Sequence, residues 1–258
     1  MKIYSEEDIK NFKRDEYERL ICPSGDYTQI KSFGERCRFG EYCTFSKHCN
    51  FEESCSFDEG CSFGEYCSFS KHCNFDESCS FGEYCNFGEC CNFEDCCSFG
   101  ERCNFEECCN FKDCCGFGKW CSFNKRCRFD KCCTFGEHCY FEERCRFDEG
   151  CSFGEWCRFE EHCSFDMGCS FGECCNLENN LSFENIEEQV DRVIKIDRIG
   201  SRQGCTYFFK TLSQIYVRCG CFFGTIEKFE AKVNETHKDN DKYRQEYLEA
   251  IKYIKAVI

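Results

Sequence analysis

Apolar side chains fall in an unbroken six-residue phase along most of this chain. Cysteine occupies every sixth position from Cys37 to Cys175, 24 times in succession. Phenylalanine does the same from Phe33 to Phe171, and Leu177 and Phe183 continue the phase. The unit is Cys-x-Phe-x-x-x, as in Cys61-Ser62-Phe63-Gly64-Glu65-Tyr66. Cys and Phe are two residues apart, so on an extended segment both point to one side and the residue between them to the other. The remaining three positions are polar or rich in Gly, Asp and Glu, which suits a bend. The pattern predicts a series of very short strands, each buried through Cys and Phe and separated by turns.

A longer period lies inside the short one. Reading every eighteenth residue, Gly64, Gly82, Gly100, Gly118, Gly136, Gly154 and Gly172 form one column, and Thr44, Ser62, Ser80, Ser98, Gly116, Thr134, Ser152 and Ser170 another. A third runs Asp58, Asp76, Glu94, Lys112, Asp130, Asp148, Asp166. Three hexads per repeat is what a three-sided coil gives, with equivalent sides stacked coil over coil. Read from Phe, the unit Phe-Gly-Glu-x-Cys-x resembles that of the hexapeptide-repeat, left-handed parallel β-helix family, whose pattern is aliphatic-Gly-x-x-small-x. The resemblance covers residues 33–183 and departs in placing Phe where the family has Leu, Ile or Val. It implies an all-β, three-sided parallel β-helix with 18 residues per coil. About eight coils, each rising about 4.8 Å, would make a rod near 40 Å long.

Open solenoid ends need caps. Residues 1–32 are expected to form an N-terminal capping helix and linker. Ser5 and Asp8 are placed as a capping box, Ile9, Phe12, Leu20 and Ile21 form a partial apolar stripe over a helix at 5–21, and Pro23 and Gly25 mark its break. After Phe183 the repeat stops, and residues 184–258 are expected to form a small α+β module. Its strands are expected at 190–196, 205–209 and 215–218, and its helices at 227–236 and 242–257.

Composition sharpens this picture. The chain has 34 Cys, 31 Phe, 19 Gly and one Pro in 258 residues. Cysteine at this level in a short exported chain reads as a disulfide scaffold. Here residues 1–8 lack the apolar core of a secretory signal, and no apolar run approaches the roughly 18 residues of a membrane span. The expectation is a cytoplasmic protein (host cytoplasm, if phage-encoded) whose thiols are reduced, small apolar fillers.

The charge is concentrated. Of the net −15, residues 33–183 carry 29 acidic and 14 basic side chains, residues 1–32 carry 7 and 6, and residues 184–258 carry 12 and 13. Two acidic columns stand out: Glu65, Glu83, Glu101, Glu137, Glu155 and Glu173 at one corner, and Asp58, Asp76, Glu94, Asp130, Asp148 and Asp166 along one side. Like charges stacked about 4.8 Å apart oppose folding, and the Debye length at physiological salt, about 8 Å, exceeds that spacing. Two readings follow. A rod of regular negative charge resembles a phosphate backbone and would enter the basic groove of a nucleic-acid-binding protein. The blander reading is a solubilising coat on an aromatic-rich rod.

The position before each Cys adds further columns. One holds His48, Tyr66, Tyr84, Arg102, Trp120, His138 and Trp156. Tyr66, Tyr84, Trp120 and Trp156 would form either a binding edge of hot-spot residues or a ladder stacking on itself. Another holds Cys96, Cys114 and Cys132, and a third Cys90 and Cys108. Thiols one coil apart lie within disulfide range and suit a soft metal, but no zinc-type CxxC spacing occurs, so reduced corner thiols are expected. No catalytic residue, metal site or cofactor site is expected. His48, His72, His138 and His162 are regular repeat corners, His237 lies in the tail, and no loop interrupts the repeat to shape a pocket. No Gly-rich phosphate signature appears. Ice binding is disfavoured, because the Ser/Thr column is edged by Glu.

The leading expectation is a non-enzymatic binding protein whose acidic rod mimics nucleic acid and blocks a DNA- or RNA-binding protein. A phage anti-CRISPR or anti-restriction protein is its most concrete form. It would not touch nucleic acid or membrane itself, and the C-terminal module would recruit the partner or join two copies. A structural or assembly scaffold is the second reading. The acyltransferase chemistry that the family resemblance implies is the third.

Overall fold

The computed structural model describes residues 1–257 apart from 167–168, 173–174, 178–180, 184–185, 201–203 and 221. The chain divides into two compact units, Met1–Asn176 and Leu177–Ile258.

The first unit is the expected three-sided parallel solenoid. Its repeating strands are mostly two residues long, such as Ser62–Phe63, and each pairs in parallel with the strand 18 residues away. Ser62 lies opposite Ser80, Asn86 opposite Asn104, and Asn92 opposite Asn110, which defines three separate sheets. The first face carries the Ser/Thr column as an eight-stranded sheet from Thr44–Phe45 to Ser170–Phe171. The second face presents Asn50, Ser68, Asn86 and Asn104 outward, and the third Ser56, Asn74, Asn92 and Asn110.

Each coil is tied to both neighbours. The Ser62 N–H donates to the Cys43 carbonyl in the coil before (2.8 Å) and the Gly64 N–H to the Phe45 carbonyl (3.1 Å), whereas the Tyr66 N–H donates to the Glu83 carbonyl in the coil after (2.9 Å). Corner residues such as Tyr66, Cys114 and Trp120 have φ near 60°. That left-handed conformation is unfavourable for side-chain-bearing residues. It turns the chain through the corner and aims the N–H at the next coil, and the bond so made offsets part of the strain.

The interior consists of three columns of phenylalanine rings. Phe105 shows the arrangement. It stacks on Phe87 and Phe123 of its own column at 4.8 Å with planes 3° apart. It also meets Phe99 and Phe111 edge to face at 5.0 Å. Offset stacks and edge-to-face pairs are the two arrangements favoured by the ring quadrupole, and a triangular prism of Phe supplies both at every level. The aromatic departure from the family pattern is accommodated without breaking the three-sided section.

Cysteine fills the small interior position for a polar reason as well as an apolar one. The Cys61 thiol donates to the Gly40 carbonyl, Cys109 to Gly88 and Cys127 to Glu106, each at 3.4 Å and each 21 residues back. The thiol therefore serves a turn carbonyl of the previous coil, which alanine could not do. Along the column of Cys109, Cys127 and Cys145 the thiols are held protonated: the neighbouring Cys127 thiol, then burial, raises Cys109, and burial pushes Cys145 well above the ordinary thiol range. Replacing Cys109 with alanine should therefore cost about 1–2 kcal/mol by removing this donor, measurable by denaturant unfolding.

Glycine is required at one corner by close approach. A Cβ on Gly118 would lie 2.7 Å from the Glu101 nitrogen and 2.7 Å from the Gly100 carbonyl carbon, both backbone atoms. The coils must part locally to admit it, so Gly118→Ala should destabilise the rod by roughly 1–3 kcal/mol, read as a lowered melting temperature.

The N-terminal cap differs from the expected helix over 5–21. The capping box is present, with the Asp8 N–H donating to Ser5 Oγ (3.3 Å) and the Ser5 N–H donating to Asp8 Oδ2 (2.8 Å), but the helix covers only Glu6–Lys10. Beyond it the Asp15 carboxylate accepts the N–H groups of Tyr17 and Arg19 (both 2.9 Å), and Glu18 turns through φ 62°. This local turn wins over helix and delivers Leu20–Cys22 as a strand parallel to Cys37–Phe39. The end is closed by aromatic rings instead. Tyr27 stacks on Phe45 at 5.5 Å, Tyr4 on Tyr27 at 5.0 Å, and Phe12 meets Tyr4 edge-on at 5.3 Å. The buried Tyr27 hydroxyl donates to the Pro23 carbonyl (2.6 Å).

The second unit contains an antiparallel sheet of Arg192–Ile199, Gly204–Lys210, Ile215–Cys219 and Phe222–Thr225, followed by helices Ile226–Thr236 and Asp241–Val257. Three of these strands and both helices match the expected segments. The sequence reading missed Phe222–Thr225 and the antiparallel pair Leu181–Phe183 and Ile186–Val190. Phe208, Val217, Phe229, Val233, Tyr247, Ile251 and Ile254 form the core between sheet and helices. Among the described residues no helix is long and apolar enough to cross a membrane.

Candidate functional site

The solenoid converts a six-residue phase into straight columns, so every third hexad brings a turn carboxylate above its counterpart. Glu65, Glu83 and Glu101 share one corner and are all exposed. Glu59, Glu77 and Asp95 share a second, and Glu53, Glu89 and Glu107 the third, where Lys71 intervenes and pairs with Glu53 at 3.4 Å. Of the side column, Asp58, Asp76 and Glu94 stack in sequence, and Arg38 reaches Asp58 at 3.7 Å.

The columns change character along the rod. Residues 52–107 hold 14 acidic side chains and 2 basic ones, whereas residues 112–166 hold 11 and 9. In the later coils the same columns are neutralised from within. Lys119 pairs with Glu137 (3.0 Å), Lys125 with Glu143 (3.5 Å) and Lys131 with Glu149 (3.5 Å). Asp130 meets Lys112 and Arg128, and Asp148 meets Arg128 and Arg146. Glu137, Glu155, Asp130, Asp148 and Asp166 therefore belong to a mixed-charge stretch, and Glu173 lies outside the described residues. The boundary falls between Glu107 and Lys112 and is averaged out in the net charge of the repeat as a whole.

Rings stack at 4.8–4.9 Å per coil. Residues 52–107 thus occupy about 15 Å of axis and present one net negative charge per about 1.2 Å, denser than the one per about 1.7 Å of duplex DNA. Over the next three coils the net charge is only −2.

This crowding is felt by Asp76. Burial, then repulsion from Asp58, raises its pKa above the ordinary carboxylate value. A carboxyl with a raised folded-state pKa adds stability that is full below its ordinary pKa and lost as pH rises through the raised one. At pH 7 that stability is absent. Asp76→Asn should raise the melting temperature slightly at pH 7, by a few tenths of a kcal/mol after solvent screening, with the gain vanishing below the ordinary carboxylate range. Melts of both proteins across pH 3–7 check this.

Beside the acidic corner runs the aromatic column. His48 stacks on Tyr66 at 5.0 Å and Tyr66 on Tyr84 at 4.8 Å, and the Arg102 guanidinium sits over Tyr84 at 5.5 Å. Farther along, Trp120 stacks on His138 at 4.0 Å. Tyr66 thus has both ring faces taken by neighbours in the column and Trp120 has one face on His138, while Tyr66, Trp120 and Trp156 all remain exposed. The second face adds a shallow groove of about 550 Å³ lined by Asn50, Glu52, Asn86, Glu89, Asn104 and Glu106. Its amides form a ladder, the Asn104 side chain donating to Asn86 Oδ1 at 2.9 Å. His48, His72, His138 and His162 all lie at left-handed corners. Among the described residues no group of three or more His, Cys, Asp or Glu side chains converges to hold a metal ion.

Compared with known protein families, curated proteins and solved structures, the chain matches none.

Proposed function

We propose that the acidic coils spanning residues 52–107 act as a rigid mimic of a nucleic-acid backbone and occupy the basic groove of a DNA- or RNA-binding protein. On this reading the chain is an inhibitor without chemistry of its own, built on a phenylalanine-cored hexapeptide-repeat β-helix and working in the cytoplasm. A phage protein directed against a host defence nuclease is its most concrete form.

The observation that carries the proposal is the charge boundary. Lys119, Lys125 and Lys131 occupy corner positions equivalent to those of Glu101, Glu107 and Asp113 one coil earlier. The fold therefore accepts a cation at each corner and gains an inter-coil ion pair from it. A coat needed only for solubility would tolerate the same interleaving throughout. Residues 52–107 instead keep repulsion that folding alone does not require, in a stretch whose charge per length exceeds that of duplex DNA.

The test is competition. The full chain is titrated into purified nucleases and nucleic-acid-binding proteins with basic grooves, each holding a fluorescent DNA or RNA duplex. Mimicry predicts displacement that weakens steeply as salt rises from 50 to 200 mM, and that Glu137→Gln/Glu155→Gln leaves largely intact. Failure to displace duplex from any of them, or displacement indifferent to salt, favours the scaffold reading. Displacement lost on Trp120→Ala/Trp156→Ala alone would replace mimicry with an aromatic hot-spot interface.

A further inference from the structure

Among the described residues of the rod, five thiols stand at exposed or half-exposed corners, and they cluster mid-rod. Cys96, Cys114 and Cys132 are exposed at one corner, and Cys90 and Cys108 half-exposed at another. Each corner is held in register: the Cys96 N–H donates to the Asp113 carbonyl (3.0 Å), Cys114 to Lys131 (2.9 Å) and Cys132 to Glu149 (3.0 Å). Stacked corner positions are therefore one coil apart, the same repeat as the 4.8 Å ring stack of Phe93 on Phe111. That spacing falls inside the Cα range of disulfides, about 4.4–6.8 Å. The direction of the side chain also fits. Cys132 Sγ lies 3.4 Å from where a Cβ would stand on Gly150, the next residue of its column. A sulfur on this corner thus leans toward the following coil, and the coil below each of Cys114 and Cys132 supplies one.

We propose that Cys96, Cys114 and Cys132 form an oxidisable ladder that takes up one inter-coil disulfide, with Cys90 and Cys108 forming a second, while the interior cysteines stay reduced. Hydrogen peroxide is the oxidant. One thiolate attacks a peroxide oxygen, the O–O bond breaks, and a sulfenic acid and water result. The thiolate one coil away attacks that sulfur, the S–O bond breaks, a second water leaves and the S–S bond forms. Two thiols lose two electrons and two protons, and one peroxide becomes two waters. Three thiols in a row accommodate one bond at a time. Attack of Cys132 on the Cys114 sulfur of a Cys96–Cys114 bond expels Cys96 and moves the disulfide by one coil with no net oxidation. The interior thiols are closed to this chemistry, being buried and hydrogen-bonded to carbonyls. The inference is independent of the proposed partner.

The experiment treats the reduced full-length chain with hydrogen peroxide, blocks free accessible thiols, unfolds the chain, labels the remaining thiols with a second reagent, and maps peptides by mass spectrometry without reduction. The wild type should show Cys96–Cys114 and Cys114–Cys132 as alternative bonds, together with Cys90–Cys108, and its interior positions should carry only the second label. Cys114→Ser should remove every disulfide from its corner while leaving Cys90–Cys108. Cys96→Ser and Cys132→Ser should each retain the one bond their geometry allows. Wild-type-like melting of the reduced variants separates loss of oxidation from loss of fold. A Cys96–Cys132 bond in the Cys114→Ser chain, disulfides between chains, oxidation of interior positions, or five thiols still free after peroxide would each overturn the proposal.

Discussion

Converting Glu59, Glu65, Glu77, Glu83, Asp95 and Glu101 to their amides is expected to weaken partner binding about a thousandfold while making the rod more stable. Each exposed carboxylate facing a basic groove contributes roughly 0.7 kcal/mol at moderate salt. Six contribute about 4 kcal/mol, or three decades of affinity at about 1.4 kcal/mol per decade. The folded rod meanwhile loses like-charge repulsion along two corners, so its denaturation midpoint should rise. A purely structural role for these columns predicts no loss of binding, and damage to the fold predicts a fall in stability. Opposite signs in the two measurements, duplex displacement and urea unfolding, are specific to mimicry. A variant that is both more stable and fully competent to displace duplex would exclude it.

Phe105→Ala should be the most damaging single change in the rod. The ring is 1% exposed and lies within 6 Å, centroid to centroid, of six neighbours, including Phe93 at 5.9 Å and Phe117 at 5.6 Å. Truncation removes its transfer free energy and leaves a hole that stiff, interlocked rings cannot close, about 3–5 kcal/mol in all. Phe105→Leu restores most of the volume but no ring pairing, and should recover more than half of the loss. Calorimetric melts of the two variants check the ordering. Equal melting of the alanine and leucine variants would mean that the stacked prism is not what holds the coils together.

The rod was legible because a solenoid writes its geometry into one short period. Cys61 and Phe63 declare the inner side, Ser62 the outer, and the eighteen-residue column through Ser80 and Ser98 the number of sides. What stayed hidden is what period cannot encode. The thiol-to-carbonyl bonds, such as Cys109 to Gly88, depend on a contact 21 residues back that apolar patterning treats as mere filler. The five-residue helix Glu6–Lys10 lost its expected continuation to the Asp15 turn, a side-chain-to-backbone competition that an apolar stripe does not register. In the C-terminal unit, Phe222–Thr225 is an edge strand containing Gly224, too short and too broken to show alternation. The acidic columns were visible as columns. Their interruption after Glu107 was in plain view too, but it gains meaning only once Lys119 is seen to reach Glu137 in the coil above.

The pairing of every strand with the one 18 residues away makes chain length a phase variable. Excising a full eighteen residues brings like onto like and merely shortens the rod by one storey. Excising six rotates everything downstream by a third of a revolution: serines come to stand over asparagines and the stack of Tyr66 on Tyr84 is broken, although carboxylate still falls over carboxylate at the corners. Each whole storey added between residues 52 and 107 would lengthen the anionic ridge without redesigning the rest of the molecule.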